Sequence, residues 1–151
     1  MILNPATSDE FTFRDWPFYW IARANGSYLK CMEAELQAVN LDIPRWRVLM
    51  TLAEEKRLSV SAIADYAIVK LSTMTKIIQR MQKDGLVISR TLSTDGRVTE
   101  VLLTEKGHEA SVAAWEAANR VYTKAFAGIG VAKKKQINTI LKQVVGNLLE
   151  E

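Results

Sequence analysis

Between Leu71 and Lys83 the apolar residues Met74, Ile77, Ile78 and Met81 fall at i, i+3, i+4 and i+7, the stripe of an amphipathic helix, and just beyond Lys83 that period stops. Asp84-Gly85 closes the helix, with Gly85 supplying the left-handed residue that follows many helix C-termini. Leu86 to Leu92 and Val98 to Leu103 are then β-branched-rich with a period near two. They are joined by Ser93-Thr94-Asp95-Gly96-Arg97, whose Asp-Gly is a strong hairpin signal. A helix running straight into a hairpin leaves few architectures open. The outer faces of this helix carry Ser72, Thr73, Thr75, Lys76, Gln79, Arg80 and Lys83. Such side chains donate to base edges and phosphates, unlike the Glu/Lys mixture of a merely solvated helix.

The rest of the chain is helical. Pro17 to Asn40 has its stripe at Phe18, Ala22, Leu29, Met32, Leu36 and Val39. Asp42 is placed to cap a second helix that tolerates Pro44 in its first turn and turns Trp46, Leu49, Met50 and Ala53 inward. Ser59 caps a short helix from Val60 to Tyr66 with Ile63 and Ala64 inward, and Ala67 to Lys70 connects it tightly to the helix at Leu71. Thr104 caps a helix from Glu105 to about Phe126, Gly128 and Gly130 break it, and a last helix near Ala132 to Leu149 lines up Ile137, Ile140, Leu141, Val144, Val145 and Leu148. The expected fold is mainly α with a small antiparallel β wing. It is a single chain fold over residues 1–151, a winged helix-turn-helix core at 44–104 flanked by long helices at 16–40 and 105–149. The stripes of the flanking helices call for burial against each other and a second chain, so a homodimer is expected.

One Cys and one His exclude a disulfide framework and a multi-cysteine zinc site, so neither metal nor cofactor is expected. No Gly-rich phosphate loop, nucleophile elbow or paired Cys/His set is present, so no enzyme is expected either. The N-terminus lacks the basic and apolar regions of a secretory signal, and no run nears the ~18 to 20 apolar residues of a membrane span. The cytoplasm is the expected compartment. From Lys70 to Arg97 six basic residues (Lys70, Lys76, Arg80, Lys83, Arg90, Arg97) face two acidic ones (Asp84, Asp95), a balance of +4 against +3 for the whole chain. A local basic excess is the footprint of a surface that meets a polyanion.

The residues resemble those of the MarR (multiple antibiotic resistance regulator) family of transcription regulators. The likeness runs through Trp46-Arg47-Val48-Leu49, Leu58-Ser59-Val60-Ser61-Ala62-Ile63-Ala64 and Leu71-Ser72-Thr73-Met74-Thr75-Lys76. It continues through Asp84-Gly85-Leu86-Val87-Ile88-Ser89-Arg90, Asp95-Gly96-Arg97 and Leu103-Thr104-Glu105-Lys106-Gly107. The resemblance implies a triangular dimer joined by its terminal helices, each subunit placing its fourth helix in the major groove of duplex DNA and its wing in or beside the minor groove. On that basis Ser72, Thr73, Thr75 and Lys76 are groove residues, Gln79 and Arg80 reach phosphate or base edges, and Lys70 and Lys83 meet the backbone. Arg97 is the minor-groove probe, oriented by Asp95; the alternative is an ion pair that only stabilises the turn. Arg90 faces DNA or pairs with Asp95. A near-palindromic operator follows from the two-fold symmetry.

The resemblance also implies a repressor released by a small aromatic or phenolic acid bound between dimer helices and winged core. Trp16, Tyr19 and Trp20 crowd the first helix, with Arg23 a turn on and Trp46 in the second. Aromatic walls with one Arg suit an aromatic carboxylate, while the same rings could equally fill a dimer core. Cys31 opens a redox-sensing alternative, since one branch of the family senses peroxide through a first-helix Cys, although a lone Cys is usually packed and inert. His108 reads as a surface or capping residue. A winged-helix module that binds protein instead of DNA is the remaining alternative, disfavoured by the Ser/Thr/Lys/Gln composition of the fourth helix.

Overall fold

The computed structural model describes residues 12–91, 96 and 99–149. After a 3-10 turn at Phe13–Asp15, helix α1 runs Pro17–Gln37 and α2 Ile43–Glu55; strand β1 is Arg57–Ser59, α3 Val60–Ala67 and α4 Leu71–Lys83. Strands β2 (Val87–Thr91) and β3 (Thr99–Leu103) precede α5 (Glu105–Ala125) and α6 (Val131–Leu149). This is the mainly helical winged fold expected, with one addition: β1 pairs antiparallel with β3, so the sheet has order β1-β3-β2. A run as short as Arg57-Leu58-Ser59 has no alternation to display and becomes a strand only because β3 offers its open edge.

The helix ends follow the side chains available. Asp42, Ser59 and Thr104 each accept from the backbone N–H three residues on, at Arg45, Ala62 and Gly107. Gly85, at φ 74°, closes α4: its own N–H donates to the Gln82 carbonyl and that of Leu86 to Met81. Helix α1 stops at Gln37, short of Asn40, because Asn40 takes φ 57° and the Leu41 N–H turns back to the Leu36 carbonyl. Ile68 does the same after α3, with φ 56° and the Val69 N–H on the Ala64 carbonyl. A β-branched residue there is uncommon.

The core gathers Met32 and Leu36 of α1, Trp46, Val48, Leu49 and Leu52 of α2, Ile63 of α3, Met74, Ile78 and Met81 of α4, Val87 and Val101 of the sheet, and Ala114, Ala117 and Val121 of α5. Ala53, expected on the inner side of α2, is exposed, and Val48 and Leu52 fill that side instead. The first half of α1 leaves Phe18 and Ala22 exposed, and α6 buries no residue at all.

The wing and α5 meet at Gly107. A Cβ there would press on the Leu86 carbonyl oxygen well inside van der Waals contact. Gly107→Ala is therefore expected to destabilise the protein by about 1–3 kcal/mol through displaced backbone, read as a lowered urea midpoint; an unchanged midpoint would mean that the wing and α5 separate easily.

Candidate functional site

Helix α4 buries Met74, Ile78 and Met81 completely or nearly so, which fixes its rotation and leaves Ser72, Thr73, Thr75, Lys76, Gln79, Arg80 and Lys83 exposed together. Lys70, also exposed, stands at the N-cap without a side-chain capping bond. The Thr75 hydroxyl donates to the Leu71 carbonyl at 2.9 Å, so towards solvent it offers acceptor lone pairs. Each flank of α4 is tied to a neighbour. On one side Arg80 Nη2 donates to Asp42 Oδ2 at 2.8 Å, and on the other Gln82 Nε2 donates to Ser89 Oγ of β2 at 2.9 Å.

Arg90 is exposed on β2 opposite Glu100 of β3. Asp95 and Arg97 lie outside the described residues. Strands β2 and β3 are paired in register up to Thr91 and Thr99.

The sequence grouped Trp46 with Trp16, Tyr19, Trp20 and Arg23, and the structure divides that group. Tyr19 packs edge-on against Phe13 and Trp20, Arg23 lies over the Tyr19 ring at 5.7 Å, and the Trp20 indole donates to the Arg14 carbonyl. This cluster sits at the exposed start of α1. Trp46 is instead buried on α2, against Trp115 of α5 at 4.9 Å and near-perpendicular.

Trp46 is the shared wall of two clefts. One, about 130 Å³, runs between Tyr28, Arg47, Met50, Tyr66 and Ile68; the other, about 230 Å³, between Tyr28, Trp115, Asn119, Tyr122 and Phe126. Each is smaller than the ~300 Å³ at which small-molecule sites begin, although they are mostly apolar with few polar groups, as such sites are. Arg47 spends one donor on the Ala67 carbonyl at 3.2 Å and keeps others for a bound anion. Tyr28, Arg47, Tyr66 and Trp115 were not singled out in the sequence. The available signal was the i, i+4 pairing of Tyr28 with Met32 and of Trp46 with Met50, which puts one ring and one Met on each of two facing helices.

Cys31 is half-buried and lines a third hollow with Ala24, Ser27, Tyr28 and Lys124. His108 is exposed on α5. Among the described residues no group of His, Cys, Asp and Glu could hold a metal, and no helix is long and apolar enough to cross a membrane.

Comparison with known proteins bears on this arrangement. The model of the MarR family matches residues 41–99. The chain is 44% identical over 145 residues to the HTH-type transcriptional repressor IacR of Pseudomonas putida, a match covering 96% of this chain and 86% of that protein. A MarR-family transcriptional regulator from Silicibacter pomeroyi is similar in fold at TM-score 0.82 and 23% identity, covering 93% of this chain and 95% of that one. A mutant of Escherichia coli MarR complexed with operator DNA matches at TM-score 0.77 and 17% identity, over 91% and 99% of the two chains. NadR in complex with 4-hydroxyphenylacetate matches at 0.77 and 22%, over 93% and 97%.

Ile68 lies on the rim of the smaller cleft, 90% exposed and in the left-handed region. Ile68→Asn removes that strain with little packing to lose, and is expected to raise stability by about 1 kcal/mol. A scanning-calorimetry midpoint that falls instead would show that the Ile68 side chain packs in solution.

Proposed function

The chain belongs to the MarR family, and from that premise we propose that it is a double-stranded-DNA-binding transcriptional repressor whose hold on its operator is loosened by a small aromatic acid. The observation that carries the DNA half is the two-sided α4: its inner side is locked in the core, while Ser72, Thr73, Lys76 and Gln79 stand exposed beside Thr75, Arg80 and Lys83. In this reading residues 44–104 are the DNA-binding core. Ser72, Thr73, Thr75 and Lys76 read base edges, Gln79 reaches base edge or phosphate, and Lys70 and Lys83 neutralise phosphates. Arg97, oriented by Asp95, enters the minor groove, and Arg90 faces DNA or pairs with Asp95.

The helices at 16–40 and 105–149 pair two copies, and the operator is correspondingly near-palindromic, with half-sites about 10 base pairs apart. The exposed faces of α6 and of the start of α1 are what such pairing covers. The protein then works by binding, with no catalytic step.

The ligand half rests on the clefts around Trp46. In the smaller cleft Tyr28, Trp46 and Tyr66 supply flat walls, and Arg47 supplies a cation at the edge. A planar ring bearing a carboxylate fits that chemistry. NadR, similar in fold, is known with 4-hydroxyphenylacetate bound. Release requires the acid to bind one arrangement of the two winged cores better than the other. The position of Trp46 on α2, the helix whose first turn is tied to α4, gives such a preference a short route.

DNA binding is tested by fluorescence anisotropy with a labelled duplex from the gene's own upstream region, over a range of salt and with excess competitor DNA. If the dimer contacts about 6 to 10 phosphates, affinity falls by ~10³ to 10⁵ between 50 and 200 mM salt; a flat response would sink the reading. Arg97→Ala is expected to weaken operator binding by ~1 to 3 kcal/mol and Lys76→Ala by a similar amount, both with the thermal midpoint nearly unchanged. For the ligand, 4-hydroxyphenylacetate is titrated against tryptophan fluorescence. A saturable change that Arg47→Gln weakens supports the cleft, whereas a response untouched by that substitution places the acid elsewhere.

A further inference from the structure

Thr73, Lys76, Arg80 and Lys83 follow one another on α4 in steps of three, four and three, one continuous line along the helix. Arg80 is the member drawn off that line. Its Nη2 sits 2.8 Å from Asp42 Oδ2, in a pair whose two side chains are 53% and 37% exposed. Asp42 already has other partners. Its Oδ1 accepts from the Arg45 backbone N–H at 2.9 Å as the cap of α2, and Arg45 Nε lies 3.2 Å from the same oxygen. The Arg45 guanidinium, only 20% exposed, also reaches Asp84 Oδ2 at 3.4 Å, just past the end of α4.

Two carboxylates and two guanidiniums thus form a chain of charges from the first turn of α2 to the end of α4, with a well-covered member, Arg45, and an open one, Arg80. Resting on the DNA-binding reading above, we propose that Asp42 holds Arg80 in reserve: without DNA the arginine is paired with Asp42, and on DNA it exchanges that carboxylate for a backbone phosphate.

The exchange is cheap on both sides. An ion pair this exposed is screened and weak, while a guanidinium on a phosphate makes two parallel charge-assisted hydrogen bonds. Asp42 is not stranded when Arg80 leaves, because the capping bond and Arg45 remain. Asp42 thus withholds the Arg80 contact from loose encounters with DNA, and only a seated helix recovers it, so nonspecific binding is held down relative to operator binding. Arg80 kept its place on the exposed side of α4 in the sequence; its second partner, 38 residues upstream, is what the structure adds.

The test is a double-mutant cycle on the full-length protein. Binding to a labelled random-sequence duplex is followed by anisotropy across a salt series, with thermal midpoints recorded in parallel. Asp42→Asn removes the charge and keeps a residue that caps helices well; should it fail to fold, Asp42→Ser, also a good cap, replaces it. Asp42→Asn is expected to bind about twofold to fivefold tighter, with the slope of log affinity on log salt steeper by about one for each protomer engaged. Because the wild-type arginine stays on Asp42 in such nonspecific encounters, Arg80→Gln is expected to keep the wild-type slope, and the double variant to match Arg80→Gln.

A gain from Asp42→Asn that survives in the Arg80→Gln background would overturn the proposal, since it would report only relief of general repulsion. Unchanged affinity and slope in Asp42→Asn would overturn it too, leaving the pair a structural brace. Failure of the DNA-binding reading shows up separately, as wild-type protein without salt-dependent binding to any duplex.

Discussion

One hydroxyl joins the end of α4 to the start of α5. Thr104 Oγ1 donates to the Gly85 carbonyl at 2.6 Å and accepts from the Gly107 N–H at 3.0 Å, so the group that caps α5 also fastens it to the turn that ends α4. The same junction carries the Thr104 N–H on the Leu86 carbonyl and Lys106 Nζ on the Asp84 carbonyl at 2.7 Å. Gly107 lets the two backbones meet there, where any Cβ would force them apart. Apart from that of Lys106, these bonds involve backbone or a short side chain, which have little freedom to yield. In a dimer held by its terminal helices, the direction of α5 would therefore set the direction of α4, and the spacing of the two copies of α4 would follow from how two copies of α5 and α6 meet.

The N-terminal end of α4 is held differently. Lys70 at the N-cap makes no capping bond, and the turn before it passes through Ile68, whose left-handed backbone is stabilised by hydrogen bonding to α3 and by little side-chain packing. The end expected to enter the groove is thus the less tightly held one, and rotation about the helix axis is restrained by the buried Met74, Ile78 and Met81 together with the flanking bond of Gln82 to Ser89. A helix fixed at its far end and in rotation, but less so at its leading end, can adjust its depth in a groove without repacking the core.

What was legible in the sequence was whatever depends on neighbours a few residues away. The stripe of α4 gave its limits, Leu71 to Lys83, without error, and Asp42, Ser59 and Thr104 were recognisable as caps because a cap acts three residues on. The second bond of Thr104, to a carbonyl 19 residues upstream, and the Arg80–Asp42 pair were not legible, because nothing local marks a long-range partner. Strand β1 failed for the related reason that three residues acquire a strand's geometry only from the strand they join. The aromatic residues show the same limit. Trp16, Tyr19 and Trp20 were grouped with Trp46 by residue type, yet Trp46 packs on Trp115 and shares its clefts with Tyr28, which helical phase and the packing of α1, α2 and α5 bring to it.

Helix α6 shows what the protomer alone leaves unfinished. It runs for 19 residues with none buried, and Ile140, Val145 and Leu148 are each more than half exposed. Helices of ~12 to 15 residues are marginal alone in water, and in proteins they draw most of their stability from a packed face. A regular amphipathic stripe without a packed face is therefore a surface shaped for burial elsewhere. The aromatic start of α1 has the same character, with Trp16, Phe18 and Trp20 each about half exposed at the other end of the chain. Both surfaces lie outside the winged core, so covering them with a second copy leaves α4 and the wing open. The inner faces of α1 and α5 join the core of the winged unit, whereas α6 and the start of α1 keep their apolar residues exposed.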